Sequence, residues 1–324
     1  MKPIMNRLAV VALISALPIS WAAAKGDYPT QPIRLLVGYA PGGSVDIVAR
    51  EYAQHLSKLV GQSVVVENRG GASGTIAGQT VARAKPDGHT LFFTASPTVT
   101  VTPAIQETPF DPIADFQPIS SVVTYTNVLL VNANSPYSTM QDLVEDAKAN
   151  PGQLTYGSSG VGASNHLTGE LLQDNAEVEL THIPYKGNAP AQADLIADRI
   201  TMLFDLNTTA KAQVDGGKVK ALAVTSGTRN PMFKDVPTMV EAGYPDYVFD
   251  GWLGLLAPSD VSEDVVKTLS EATNKIVNDK DFRVRMEDSG YTLIESSPEQ
   301  LAARIAEEGE QFRDLAERAN LRQE

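Results

Sequence analysis

Apolar positions along the chain alternate between two rhythms. Residues 33–39 form a short apolar run, and residues 45–60 then place Val45, Val48, Ala49, Tyr52, Leu56 and Leu59 close to helical spacing. The alternation continues with strands over 64–66 and 90–94 and a helix over 75–84. Residues 138–149 are predicted to be helical, and 154–156 a strand leading into a helix from Ser164. Strands follow at 178–184, 200–204 and 219–225, with helices at 189–197 and 208–214 between them. The C-terminal part reads as helices over 261–278, 281–287 and 298–319, with a short strand at 291–294.

Two extended runs break this rhythm. Residues 119–132 and 247–257 are apolar and longer than most strands. Strands alternating with helices predict parallel-rich sheets covered by helices, an α/β fold. The long runs predict two lobes with the chain crossing twice. One lobe is then discontinuous, residues 25–124 with 246–324, and the other is 125–245. Ligands of such sheets bind outside the carboxyl ends of the strands, so a cleft between the lobes is the expected site, closing about a hinge.

The chemistry expected there sits in four loops of small residues: 40–44, 95–98, 158–164 and 186–188. Glycines let backbone approach a ligand closely. Ser44, and Ser164 with Asn165, stand where they can cap the helices that follow. A helix start carries unpaired N–H groups and partial positive charge, which favours an anion. Catalytic signatures are weak. Gly157-Ser158-Ser159-Gly160-Val161 lacks the second glycine of a nucleophile elbow, and no Gly-Lys-Ser/Thr loop occurs. His166 and Glu170 share a helix face, but a metal there has no evident third ligand; packing is the favoured role of His166. Asp46 and Asp205 read as loop and helix braces ahead of an acid–base pair. Arg50 is expected to pair with a neighbouring acid, and Trp252 and Tyr247 to pack in the core.

Composition narrows the picture. The chain has 324 residues and no cysteine, which excludes disulfides and thiol chemistry. Lys2 and Arg7, an apolar run over 8–19 and Ala22-Ala23-Ala24 read as a secretory signal peptide over residues 1–24. Its removal takes the formal charge from −13 to −15, because it carries two basic residues and no acidic one. Such a surface argues against nucleic acid as a partner. Export to the bacterial periplasm is the expectation.

Ordered blocks then carry a resemblance. Tyr28-Pro29 with Pro32-Ile33-Arg34, Pro41-Gly42-Gly43 with Asp46 and Ala49-Arg50, and Val66-Glu67-Asn68-Arg69 come first. Pro86-Asp87-Gly88-His89, Tyr156-Gly157-Ser158, His182 with Pro184-Tyr185-Lys186-Gly187, Val236-Pro237-Thr238 and Trp252 with Gly254-Leu255 follow. In this order they resemble the receptors of tripartite tricarboxylate transporters, the Bug or TctC-like receptors. The resemblance implies a type II-like periplasmic binding fold with a cleft between two lobes. It also implies a monomer that delivers a small carboxylate to the membrane components of such a transporter, with no cofactor. Ligand contacts fall by resemblance on Tyr39, Ala40, Pro41, Gly42 and Gly43, and on Thr94, Ala95, Ser96 and Thr98 of the first lobe. In the second lobe they fall on Ser158, Ser159, Gly162, Ser164, Lys186, Gly187 and Asp205. Citrate-like, amino and aromatic acids all suit such a site. The competing readings are an exported enzyme acting on a small carboxylate and a sensor feeding a membrane signalling protein.

Overall fold

The computed structural model describes residues 28–161, 163–185, 187–318 and 321. The expected signal peptide, Gly162 and Lys186 lie outside the described residues. The first α/β block runs β1 (Ile33–Val37), α1 (Ser44–Val60), β2 (Val64–Asn68), α2 (Thr75–Ala82) and β3 (Thr90–Ala95). Two single-turn helices follow, α3 (Ser96–Val99) and α4 (Thr102–Ile105), each with proline in its first turn. They occupy a stretch whose beginning was expected to be a loop; proline is tolerated where a first-turn N–H would be unpaired anyway.

The chain then crosses on β4 (Phe116–Asn132), a strand of 17 residues. The second block runs α5 (Met140–Ala149), β5 (Thr155–Ser158), α6 (Ser164–Ala176), β6 (Thr181–Pro184), α7 (Asn188–Ile196), β7 (Met202–Leu206), α8 (Asn207–Asp215) and β8 (Val219–Val224). The return is β9 (Asp250–Pro258), followed by α9 (Glu263–Val277), α10 (Lys280–Asp288), β10 (Thr292–Leu293) and α11 (Pro298–Arg318).

The strands form one continuous order, β2-β1-β3-β9-β4-β7-β5-β6, with β8 and β10 also on β4. β1, β2 and β3 run parallel, as do β5, β6 and β7, while β4 and β9 are antiparallel to their neighbours. The two-lobed architecture turns on β4. Up to Thr126 it pairs with β9; from Asn127 it pairs with β7. A single strand therefore belongs to both sheets.

Period-two alternation fills the core on both faces of each sheet. Ile33, Leu35 and Val37 of β1 join one cluster and Leu36 the cluster opposite. In the second lobe Leu129 and Val131 face one cluster, Val128 and Leu130 the other. α11 contributes to both lobes. Leu301 and Ile305 pack under the first sheet, while Phe312, Leu315 and Ala316 enter a cluster of the second. With 21 residues it spans about 30 Å.

Candidate ligand cleft

The loops after β1, β3, β5 and β7 meet at the carboxyl ends of those strands. A cavity of about 250 Å³ lies among them. Its first-lobe wall includes Tyr39, Ser44, Val45, Ala95, Leu253 and Tyr291, its second-lobe wall Ala163, Ser164, Leu206 and Thr208, and Tyr125 of the crossover strand β4 lines it as well. None of its described lining residues is charged.

Three helices of eight residues or more begin at this cavity. α1 starts at Ser44 after Gly43, α6 at Ser164 after Ala163, and α8 at Asn207 after Leu206. None of the three has a side-chain cap. This corrects the expected roles of Ser44 and Ser164: both are first helical residues, not caps. Asn165 does not cap either. The first-turn N–H groups of these helices lack the side-chain acceptors that usually satisfy them.

The first-lobe loop is held by an ion. Asp46 is buried and accepts from Gly42 N–H at 2.8 Å, from Asn68 Nδ2 at 2.8 Å and from Arg50 Nε at 2.9 Å. Asn68 also donates to the Tyr39 carbonyl at 3.1 Å. Burial opposes the Asp46 charge, but the three donors outweigh it and hold the carboxyl below its usual range. Gly42 sits at φ +79°, which the turn needs and glycine permits. Behind the loop, Gly38 approaches the next glycine loop so closely that a Cβ there would stand 2.6 Å from Gly74 Cα.

The second-lobe loop is held by neutral groups. Asn165 Oδ1 accepts from Ser159 N–H at 3.0 Å and from its hydroxyl at 3.1 Å. Its amide donates to Asn188 Oδ1 at 3.1 Å. Ser158, fully buried, lies 2.6 Å from His182 Nε2. The His182 ring stacks on His166 with centroids 4.1 Å apart and on Tyr156 at 4.8 Å. Glu170 stands 3.6 Å from His166 and accepts from the Tyr156 hydroxyl. Burial, with His182 beside it, lowers His166 to about 4, so the imidazole is neutral near pH 7.

Asp205 closes β7 and is buried. Its oxygens accept from Asn188, from Gln192 and from Thr209 at 2.6 Å. Burial raises its carboxyl, with these donors opposing. It clips α7 and α8 to the end of the strand.

The Tyr39 hydroxyl is engaged by the protein. Tyr39 donates to Thr98 Oγ1 at 2.7 Å, because Thr98 itself donates to the Ser73 carbonyl. Tyr125 stands near Ser96 and Tyr291 near Ser44. Tyr125 lies opposite Gly251 across β4 and β9, and a Cβ at Gly251 would fall 2.1 Å from its ring. Beside Tyr291 the two lobes touch: Asn207 donates to the Gly290 carbonyl.

Of the residues expected to contact ligand, Tyr39, Ala95 and Ser164 line the cavity. Ala40, Pro41, Gly42 and Gly43 form the exposed turn leading into α1. Thr94, Ser96 and Thr98 are buried behind the wall, as is Ser158. Ser159 and Gly187 lie in adjoining second-lobe loops, joined by Gly187 N–H to the Ser159 carbonyl at 3.2 Å. Tyr125, Leu253 and Tyr291 line the cavity without having been singled out. The available signal was an aromatic in one crossover strand facing a glycine in the other. Trp252 is fully buried and donates to Glu308 at 3.0 Å, a core role.

A two-lobed α/β frame with helix starts converging on a cavity is the arrangement of a solute-binding protein. Comparison with known proteins then gives the family. Residues 48–321 match the family model described as tripartite tricarboxylate transporter family receptor, and the chain belongs to that family. A curated relative from a Pseudomonas species, named for the tcbD-tcbE intergenic region, is 35% identical over 95% of this chain and 92% of its own. The solved periplasmic binding protein BugD is 35% identical, with TM-score 0.74 over 92% of this chain and 100% of that one. A Rhodopseudomonas palustris protein solved with adipate is 31% identical, with TM-score 0.77 over 91% and 99%. MatC of the same organism, solved with malate, is 29% identical, with TM-score 0.74 over 89% and 99%.

Proposed function

We propose that this chain is an exported periplasmic receptor, not an enzyme. It captures a small carboxylate by closing its lobes and presents it to the membrane components of a tripartite tricarboxylate-type transporter. The observation that carries this reading is the convergence of three helix starts without side-chain caps, from both lobes, on one cavity. Each start offers roughly half a positive charge. A carboxylate among them is stabilised without a cationic side chain. The adipate and malate of the related structures are acids of this size.

Hinge closure follows from the same arrangement. Only the closed form brings the α1 start together with those of α6 and α8, so the ligand favours it. The Asn207–Gly290 hydrogen bond ties the lobes beside the cavity in that form. The reading takes 25–124 with 246–324 as the first lobe and 125–245 as the second. The change of partners along β4 at Thr126–Asn127, two residues further on, supports a boundary in this part of the strand. Among the described residues no helix is long and apolar enough to cross a membrane.

Ser164→Asp tests the site directly. A fixed carboxylate in the first turn of α6 favours the helix but takes the place of the ligand's charge. Calorimetric titration with small acids is expected to show at least a hundred-fold loss of affinity, with the unliganded melting temperature unchanged or raised. Undiminished affinity sinks the assignment.

A further inference from the structure

We propose that Gly290 is a positioning residue for ligand capture. Its missing Cβ lets the corner after α10 seat in a socket of Asn207, Thr208 and Met232, and that seat sets the balance between open and closed forms. The inference rests on the two-lobe receptor reading above and deepens it by naming what holds the closed form.

Gly290 ends α10. Its N–H donates to the Glu287 carbonyl at 2.9 Å, and the Tyr291 N–H donates to the Met286 carbonyl at 2.9 Å. This is a Schellman end, with the glycine in the left-handed region at φ +87°. Capping alone explains a glycine but not its surroundings. Gly61 closes α1 in the same region at φ +70°, yet it is exposed and a Cβ there would meet nothing within 4 Å. Gly290 is buried, although Glu287, Asp288 and Ser289 before it are exposed. A Cβ on Gly290 would overlap Met232 Sδ and stand 3.0 Å from Thr208 Cγ2 and 3.1 Å from Asn207 Nδ2. All three neighbours belong to the other lobe. Because three residues crowd one position, no single rotamer change makes room.

Asn207 fixes the seat. It is fully buried, its amide donates to the Gly290 carbonyl, and the same nitrogen lies 3.8 Å from Met232 Sδ. Met232 is held in turn. Its N–H donates to Asn230 Oδ1 at 2.9 Å, and its side chain packs against the cluster of Val128, Leu203 and Val224. The seat adjoins the cavity from both sides: Tyr291, next to Gly290, and Thr208, next to Asn207, both line it. An acid held between these walls draws together the two segments that form the seat, so ligand and seat favour the closed form together. Left-handed strain from a larger residue at position 290 is common to both forms and cancels from the balance. The overlap arises only on closure.

The test reads the balance directly. Spin labels on Lys58→Cys and Lys148→Cys, exposed positions one on each lobe of a chain without native cysteine, report the lobe separation by pulsed electron resonance. In the unliganded chain Gly290→Ala is expected to lose population at the separation of this structure. Titration with adipate, malate, citrate, benzoate and glutamate gives the second readout. Each acid that binds the wild type is expected to bind Gly290→Ala about ten-fold more weakly, through faster dissociation. Gly61→Ala carries the same backbone strain without the contact and is expected to keep wild-type separations and affinities. Unchanged behaviour of Gly290→Ala, or equal losses in Gly61→Ala, overturns the proposal and leaves the receptor reading standing. Binding of none of the five acids sinks the receptor reading, and the unliganded separations then decide the seat alone, an unchanged distribution overturning it. Asn207→Ala removes the donor from the other side. It is expected to open the unliganded chain in the same way, and it decides the matter if Gly290→Ala does not fold.

Discussion

The two loops that face each other across the cleft are built from the same small residues but held by opposite means. The turn before α1 hangs on one buried carboxylate, Asp46, with a guanidinium, an amide and a backbone N–H around it. The loop before α6 hangs on Asn165 and on a stack of neutral imidazoles and phenol. Both solutions keep the brace behind the loop and leave the helix start without a side-chain cap. An ionic brace tolerates neutral and alkaline pH and fails when protonated. An imidazole brace fails earlier on the acid side, because its rings must stay uncharged.

The largest expected effect breaks the ionic side. Asp46→Ala leaves the Asn68 amide, Gly42 N–H and Arg50 without their acceptor. Hydrogen bonds to a charged group contribute roughly 1.5–3 kcal/mol each, with partial compensation by water at Arg50, so a loss of about 4 kcal/mol is expected in urea unfolding. Acid binding should weaken with it.

Acid titration separates the two loops. His166 is lowered to about 4 in the fold, against 6.5 when exposed. Its folded form refuses a proton that the unfolded chain accepts. Stability is therefore expected to fall as pH drops below about 6.5 and to level off near 4, by up to about 3 kcal/mol. Glu170, raised by burial, works the other way at the acid end of this window. Unfolding curves of His166→Asn should be flatter than wild type between pH 6.5 and 4; an equal slope would remove His166 from the account. The Asp46 contribution has the opposite setting. Its folded value is lowered, so it is fully present above the ordinary value of 3.8 and lost only as pH falls through the folded one.

Asn165→Ala sharpens the neutral side. It removes the acceptor of Ser159 and the donor to Asn188, and a loss of about 2 kcal/mol is expected, with no change in the pH profile. Ser159→Ala should have the smallest effect, below about 1 kcal/mol, since the Ser159 backbone N–H keeps its bond to Asn165. A larger loss would mean that the hydroxyl, not the backbone, carries the link.

Much of this frame was legible in the chain. Alternation of short apolar runs with helical spacing placed the strands and long helices, and the long runs near 119–132 and 247–257 marked the crossovers. Capping was misread because Ser44 and Ser164 are good caps by type, yet Gly43 and Ala163 take that position. A helix start without a side-chain cap leaves no mark in a single sequence. α3 and α4 were missed because four-residue helices have no periodicity to read. Tyr125 and Tyr291 were missed because they reach the cavity from elements distant in sequence, and only tertiary pairing brings them beside Tyr39. Asp46 and Arg50 were legible as a pair at helical spacing, four residues apart.

The last helix carries a consequence for how the molecule melts. α11 places Leu301 and Ile305 in the core of one lobe and Phe312, Leu315 and Ala316 in that of the other. Loosening either lobe strips apolar cover from the helix and so from its neighbour. The two lobes are therefore expected to melt as one cooperative unit, in a single calorimetric transition with equal van't Hoff and measured enthalpies.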